Sequence, residues 1–414
     1  MPTQERPRIA LVWSQFAAYH VDRCRAVAQR FAGRADVLAI EVATTSTTYA
    51  WEPSGEVEGA EKVTLFPGQS FDAISRTRRF RALLKAVRGC RTVFLGIGYN
   101  ELDVIALSWV LRLLGKRVVM MTESKFDDFV RTVRREALKS LILSSYSAAI
   151  VGAARQHDYM RFLGFRRRPV LPGYDGVSLA RIRAQGGADP APGGLPHGER
   201  DFLFVGRFVA KKNLLRLIDG YAAFVALAGE HMPRLVLIGS GPEEPALRAR
   251  IEELGLAARV EFPGFLSAEA VSRRLARALA LILVSTEEQW GLVVNEALAF
   301  GLPAIVSTAV GARDVLVRNL VNGFVIEPDS SEGIAQAMLA LASDPALWAR
   351  MVSHSHERAW MGDAERLADA AEVLLFPDAA GEARNRVARL TAAMAALSPA
   401  PRRPREAARQ VRQR

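Results

Sequence analysis

Short apolar runs alternate with segments of helical periodicity along most of this 414-residue chain. In the first part, the apolar runs predict buried strands at 9–13, 37–41, 62–66, 92–96, 117–121 and 148–151. Apolar positions at helical spacing predict helices between them, at 21–31, 76–87 and 104–114. Alternating strands and helices are typical of a doubly wound α/β domain, which we predict for residues 1–172.

A second set of alternating elements follows a segment rich in proline and glycine. Residues 173–200 carry most of these turn formers and predict a linker. Apolar runs then predict strands at 201–205, 234–238, 259–262, 279–284, 304–306 and 323–326. We therefore predict a second α/β domain at 201–344, followed by helices at 345–377.

Charge and cysteine content narrow the setting of the protein. The chain has a net charge of +11, and residues 378–414 contribute nine arginines against three acidic residues. This tail predicts a basic, partly disordered end that is either inert or adheres weakly to anionic lipid. Cys24 and Cys90 are the only cysteines, which favours reduced thiols in a cytoplasmic protein. No signal peptide or membrane-spanning run is expected, so any membrane contact would be peripheral.

The predicted helix 76–87 is basic and amphipathic. Its basic side is either a solvated helix face or a membrane-surface patch.

The stretch from 285 to 303 carries the first candidate chemistry. A polar segment containing Glu288 follows a buried strand, and a helix that includes Glu296 begins near Gly291. A nucleotide phosphate could bind the free N–H groups of Gly291, Leu292 and Val293, where the helix dipole favours negative charge. The two carboxylates could accept hydrogen bonds from hydroxyl groups, so the stretch predicts a site for a polyhydroxylated, phosphorylated ligand.

Further candidates follow earlier strands of the second domain. Arg207 and Lys212 come after the strand 201–205, and such a pair suits a diphosphate. Gly239 begins a Gly-Ser-Gly-Pro turn after the next strand, and Gly264 with Phe265 follows the third. Carboxyl ends of parallel strands meet at one edge, where ligands bind in open α/β sheets.

The two glutamates separated by seven residues, together with Arg207 and Lys212, resemble the signature of the retaining family 4 nucleotide-sugar glycosyltransferases. The resemblance implies the GT-B architecture, with two Rossmann-like domains facing a cleft and C-terminal helices crossing back to the first. It implies that Arg207 and Lys212 hold the diphosphate, Glu288 the transferred sugar and Glu296 the ribose. The loops at Gly239 and at Gly264 and Phe265 would line the nucleotide pocket. We expect no cofactor and no metal, since no Asp-x-Asp motif is present.

The first domain departs from that family. Its opening loop, 14–20, lacks the glycines often found there, and the acceptor-side histidine is replaced by the sequence Met-Thr-Glu-Ser at 121–124. Glu123 is a candidate for acceptor contact, or it caps a helix. His20 is a rival candidate, or it has a structural role.

The sequence therefore predicts a retaining, metal-independent hexosyltransferase that moves a sugar from a nucleotide-diphosphate donor to a glycan or lipid-linked acceptor. By resemblance, bacterial envelope or exopolysaccharide assembly is the expected setting. A catalytically silent GT-B binding subunit is the alternative. Nucleic-acid binding is not favoured, because much of the positive charge lies in the tail and no recognition motif accompanies it.

Overall fold

The computed structural model describes residues 6–46, 54–229 and 232–395. Seven parallel strands form the first sheet, in the order β3-β2-β1-β4-β5-β6-β7. Their bounds are β1 Arg8–Trp13, β2 Asp36–Thr45, β3 Glu61–Ser70, β4 Thr92–Leu95, β5 Arg117–Thr122, β6 Ala148–Val151 and β7 Val170–Pro172. The strands β1, β4 and β6 are almost wholly buried, because helices cover both faces of the sheet.

The helices of this part follow the strands in turn. Their bounds are α1 Ala18–Arg30, α2 Arg76–Val87, α3 Leu102–Leu113, α4 Val133–Ile142 and α5 Ala154–Phe162. In α2, Leu83 and Val87 are buried, and buried Arg79 donates from Nε to Asp103 of α3 at 2.9 Å. This packing accounts for the amphipathic pattern of α2 without a further ligand.

The second sheet has six parallel strands in the order β10-β9-β8-β11-β12-β13. Its strands are β8 Asp201–Val205, β9 Leu235–Ile238, β10 Val260–Gly264, β11 Ala278–Leu283, β12 Ala304–Ser307 and β13 Gly323–Ile326. Its helices are α6 Leu179–Gly186, α7 Leu214–Ala228, α8 Glu244–Glu253, α9 Ala268–Ala276, α10 Val293–Ala299 and α11 Ser331–Ser343. In both sheets the strand order reverses beside the first strand, which creates a switch point between β1 and β4 and another between β8 and β11.

The C-terminal helices pass from the second part of the molecule to the first. They are α12 Pro345–Ala359, α13 Glu365–Leu375 and α14 Gly381–Ala395. Helix α12 packs against α10 and α11, whereas α13 packs against α1. Arg30 of α1 contacts Asp369 of α13 at 2.7 Å and Glu365 at 2.6 Å. The predicted doubly wound GT-B architecture with a C-terminal return to the first part is thus confirmed.

The two chain crossings between the parts lie against each other. Val177 and Asp363 form a parallel β-bridge, in which Val177 N–H donates to Gly362 at 3.0 Å and Ala364 N–H donates to Val177 at 2.9 Å. We call these paired segments the junction. An added Cβ at Gly176 would lie 2.4 Å from the Asp363 carbonyl oxygen, so this close approach requires glycine.

Three details differ from the sequence prediction. The segment predicted as a linker contains α6, whose Leu179 and Ile182 are buried. Only α13 of the predicted 345–377 helices crosses to the first part. The range predicted as a basic tail, 378–414, includes α14, which buries Val387 and Leu390. The end of this tail, for which disorder is predicted, lies outside the described residues. No helix in the described ranges is both long and apolar enough to cross a bilayer.

Candidate functional site

Lys212 and Glu288 meet at the switch point of the second sheet. Lys212 ends a short 3-10 helix after β8, and Glu288 lies in the loop after β11. The Lys212 ammonium donates to Glu288 Oε2, which also accepts from the Ser285 hydroxyl at 3.2 Å. Each of the two ion-paired side chains is 14% exposed. A basic and an acidic group are therefore fixed together where a ligand of an open α/β sheet binds.

Backbone contacts hold these two loops together. Thr286 N–H donates to the Lys211 carbonyl at 2.8 Å. Asn213 has a φ of 60°, a left-handed conformation that asparagine tolerates better than most residues. Its side-chain amide donates to the Val284 carbonyl at 3.1 Å and to the Pro328 carbonyl at 2.6 Å. Asn213 thus fixes the position of Lys212 relative to the end of β11.

Glycines let the neighbouring loops approach closely. Gly239 has a φ of 138°, and an added Cβ there would lie 1.9 Å from the carbonyl oxygen of Gly206. Gly239 N–H donates to the Gly264 carbonyl at 3.0 Å, which joins the ends of β9 and β10. Phe265, the next residue, is 68% exposed. The predicted pocket loops therefore lie at one edge, beside the loop that contains Arg207.

The turn into α10 also depends on glycine. Gly291 has a φ of 101°, and an added Cβ would lie 2.8 Å from a methyl carbon of Leu283 and 3.5 Å from Cγ of Glu288. Helix α10 begins at Val293, two residues later than predicted, with Leu292 at the N-cap position. Gly291, Leu292 and Val293 are half-buried, and the first N–H groups of a helix have no partner within it. Arg207 is exposed at the same edge.

Glu296 lies one turn into α10, as predicted, and is half-buried. Burial raises the pKa of Glu296 to about 7, the positive charge of Arg181 opposes the rise, and the negative charge of Asp22 adds to it. Asp22 belongs to α1 and accepts from Arg181 Nη2 at 2.7 Å. Glu296 thus has different charged neighbours from Glu288, although both face the first part of the molecule.

A buried acidic cluster at the ends of β5 and β7 was not predicted. Asp175 lies 3.5 Å from Arg23 Nη2, and both side chains are fully inaccessible. Burial raises the pKa of Asp175 well above its ordinary value, and the adjacent Glu123 raises it further. Burial also raises the pKa of Glu123, and the charges of Glu288 and Asp128 contribute in the same direction. A hydrogen bond with Asp175 and the charge of Arg23 oppose this rise, so the pKa of Glu123 is set by groups from both parts of the molecule.

Two sequence features could have indicated this cluster. On α1, Arg23 shares the buried stripe with His20, Cys24 and Val27, and an arginine on an apolar stripe usually has a buried partner. Asp175 lies in the loop that begins at the end of β7, and ligand-binding side chains lie at such strand ends. The glycine-rich composition of its surroundings instead suggested a linker.

His20 packs among aromatic rings and contributes to the start of α1. Its Nδ1 accepts from the Ala17 N–H at 2.9 Å, and its ring centroid lies 4.1 Å from that of Tyr19. Burial lowers the pKa of His20 well below its ordinary value, and the charge of Arg23 lowers it further. His20 is therefore a neutral ring only 5% exposed. These contacts describe the structural role that the sequence left open, and acceptor contact stays a prediction.

Direct contacts close one end of the cleft. Arg155 of α5 donates to Asp314 Oδ2 at 2.6 Å and to the Val310 carbonyl at 2.7 Å. On the Glu288 loop, Gln289 donates from its side-chain amide to Asp128 Oδ2 at 3.2 Å. Val310 also forms an isolated β-bridge with Glu288. The candidate site is therefore bounded by both parts of the molecule.

The described residues contain no group of three or more His, Cys, Asp or Glu side chains arranged to hold a metal ion. Arg207 and Lys212 bring positive charge to the end of β8, and Arg181 brings it close to Glu296. Metal independence stays a prediction that activity measurements must test.

Comparisons with known proteins relate part of this chain to a known family. Residues 188–358 match the family of glycosyl transferases group 1. The chain is 28% identical over 164 residues to N-acetyl-alpha-D-glucosaminyl L-malate synthase of Bacillus anthracis, covering 40% of this chain and 42% of the relative. It is 31% identical over 155 residues to the lipopolysaccharide core biosynthesis glycosyltransferase LpsE of Rhizobium meliloti, covering 37% and 43%. The matches thus span less than half the length of these relatives.

Similarity of fold extends much further along the chain. Anabaena HepE, solved in complex with UDP and glucose, superposes with a TM-score of 0.65 at 17% identity and covers 88% of this chain and 98% of its own. At this identity the superposition establishes the fold alone. The matched segment, 188–358, contains Arg207, Lys212, Glu288 and Glu296.

Proposed function

We propose that this protein, whose residues 188–358 match the glycosyl transferases group 1 family, moves a sugar from a nucleotide-diphosphate donor to a glycan or lipid-linked acceptor. The observation that carries the proposal is the meeting of Lys212 and Glu288 between β8 and β11. The UDP and glucose in the Anabaena structure and the sugar-transfer names of the relatives support it.

The donor would bind along the carboxyl edge of the second sheet. Arg207 and Lys212 hold the diphosphate, and the N–H groups of Gly291, Leu292 and Val293 add donors where the helix dipole is positive. As the bond to the sugar breaks, negative charge grows on the diphosphate and these groups stabilise it without a metal. Their fixed positions reduce the reorganisation needed during reaction.

The carboxylates recognise the rest of the donor. Glu288 accepts hydrogen bonds from hydroxyls of the transferred sugar, and Glu296 accepts them from the ribose. Gly239, Gly264 and Phe265 line the nucleotide pocket. The transfer proceeds with retention of anomeric configuration, and the leaving phosphate takes the proton of the acceptor hydroxyl.

The first part of the molecule supplies the acceptor side. The charge of Glu288 raises the pKa of Glu123, which supports a position of Glu123 beside the transferred sugar. A protonated Glu123 can donate a hydrogen bond to an acceptor oxygen. His20 is the second candidate for acceptor contact. The lipopolysaccharide core biosynthesis relative from Rhizobium meliloti supports a setting in cell-envelope synthesis, which we propose takes place in the cytoplasm, with peripheral contact to the inner face of the membrane.

The test is turnover of a panel of nucleotide-diphosphate sugars by the full chain, measured as release of the nucleoside diphosphate. We expect one donor to be consumed, and we expect Glu288→Ala to reduce that turnover at least about 100-fold. NMR of the product would then report the anomeric configuration. Binding of a nucleotide without any turnover would favour the silent binding subunit instead.

A further inference from the structure

In helix α4 the usual burial pattern is reversed, because an acidic side chain is buried and apolar side chains are exposed. Its one fully buried residue is Glu136, whereas Val133 is 87% exposed, Leu138 is 57% exposed and Leu141 is 64% exposed. Val133 and Leu141 are two turns apart and share one face of the helix. A helix of a soluble protein normally buries its apolar stripe, so this stripe lacks a partner in the described part of the chain.

The loop before α4 continues the exposed apolar area. Phe129 is 68% exposed and Val130 is 93% exposed. Arg131 holds this loop, because its Nε donates to the Phe126 carbonyl at 2.8 Å and its guanidinium lies 5.7 Å from the Phe129 ring centre. Phe126 in turn packs against exposed Phe162, with ring centroids 5.7 Å apart. We call residues 126–141 with Phe162 the α4 surface.

Most of the outward charges around the α4 surface are basic. Arg134 and Arg135 are exposed, as are Arg161, Arg166 and Arg167 near Phe162, whereas Asp158, one turn before Phe162, is an exposed acidic residue. The acidic groups of the surface are neutralised internally, since Glu136 contacts Lys139 at 2.8 Å and Asp128 contacts Lys125 at 2.8 Å. Asp127 contacts Arg155 at 2.7 Å. Exposed apolar side chains flanked by arginine complement a partner that has an apolar interior beneath an anionic outer layer.

We infer that the α4 surface binds an anionic lipid bilayer, with Phe129, Val130 and Val133 entering the interface and the arginines contacting lipid phosphates. Apolar insertion together with electrostatic attraction is the physical basis of such peripheral binding. The basic C-terminal segment 396–414 does not fit this surface, because both carry positive charge. A second copy of the chain would likewise bring arginines against arginines.

The α4 surface lies close to the candidate site, so membrane binding would bring a lipid-linked acceptor near that site. Asp128 of the surface accepts from Gln289, the residue after Glu288, at 3.2 Å. A bilayer held against α4 would therefore lie beside the end of the cleft where this contact joins the Glu288 loop to the first part of the molecule. This step rests on the proposed function, and it selects the lipid-linked acceptor over a soluble glycan.

The experiment is co-sedimentation of the full chain with vesicles of phosphatidylcholine alone and with vesicles of equal parts phosphatidylcholine and phosphatidylglycerol. We expect binding to the anionic vesicles that weakens with salt. Joint substitution of Val133→Ser and Leu141→Ser should reduce this binding at least about tenfold, since it removes one of the inserted groups and the second apolar side chain of the same helix face. Arg134→Ser with Arg135→Ser should remove much of the salt-dependent part. Leu227→Ser on α7, which alters a leucine that is 55% exposed, is the matched control and should bind like the parent.

Binding that is unchanged in the Val133 and Leu141 variant, or equally tight on both kinds of vesicle, would overturn the inference. So would sedimentation showing that this variant dissociates a dimer of the parent. Calorimetry with UDP, GDP and ADP on the same preparations separates the two proposals. Vesicle binding by a chain that binds no nucleotide diphosphate would reject the proposed function and leave the α4 surface intact.

Discussion

Lys212 and Glu288 form an ion pair that joins the loop after β8 to the loop after β11. In the proposed function each side chain has a second partner, since Lys212 contacts the diphosphate and Glu288 contacts the sugar. The ion pair therefore competes with donor binding. Its disruption during binding would release both groups in the same step, which ties recognition of the phosphate to recognition of the sugar.

The competition predicts opposite effects of Glu288→Gln on two measurements. Transfer should fall at least about 100-fold, because the amide is a weaker acceptor for sugar hydroxyls. Affinity for the free nucleoside diphosphate should be equal or higher, because Lys212 no longer has an anionic partner in the protein. Turnover assays and calorimetry check the two effects. Glu287→Gln, at the exposed neighbouring position, should leave both unchanged.

Lys212→Ala should weaken binding of the nucleoside diphosphate by about 10- to 100-fold, since a hydrogen bond to a charged group contributes about 1.5–3 kcal/mol. The adjacent Lys211→Ala is the control, because Lys211 contacts Thr286 through its backbone carbonyl, which the substitution keeps. Equal affinities of the two variants by calorimetry would reject the role of Lys212 in phosphate binding.

Glu296→Gln should reduce the loss of folding stability that occurs as pH rises. The carboxyl binds a proton more tightly in the folded protein, where its pKa is about 7, than in the unfolded chain. The folded state therefore binds more protons, and its stability falls as pH rises from the unfolded pKa, about 4.3, to about 7. At pH 8 the variant should be more stable than the parent by up to about 3 kcal/mol, and at pH 4 the difference should vanish. Urea unfolding at both pH values measures it.

Gly239→Ala should destabilise the second part of the molecule by about 3 kcal/mol, because its Cβ would collide with the Gly206 carbonyl oxygen. Nucleotide binding should weaken as well, since the loops after β8 and β9 must separate. Gly198→Ala lies in open space and should change stability by no more than about 0.5 kcal/mol. Thermal unfolding of the two variants provides the comparison.

Local patterns were sufficient to predict most of the fold. The apolar runs gave the β6, β8 and β13 bounds to the residue, because buried parallel strands are nearly continuous in hydrophobicity. Helix α14 was missed although Ala383, Val387, Leu390 and Met394 recur on one face. The high arginine content of that segment outweighed its periodicity in the prediction.

The candidate site was predicted only where it follows strand ends of the second sheet. Lys212 and Glu288 are far apart in sequence, and their direct contact depends on strand order, which no local pattern encodes. The same holds for Glu123 and Asp175, whose high pKa values arise from burial between distant segments. The exposed stripe of α4 was not predicted, because periodicity shows that a helix has an apolar face but not which face packs inward.

The junction between Val177 and Asp363 determines how the cleft can open. Because the two crossings are hydrogen-bonded to each other, they act as one pivot rather than two independent tethers. Turning about that pivot would break the contacts that Arg155 and Gln289 make between the two parts of the molecule while leaving the pivot itself unchanged. Substrate entry would then be a rotation about one axis, and it would require the contacts of Arg155 and Gln289 to break first.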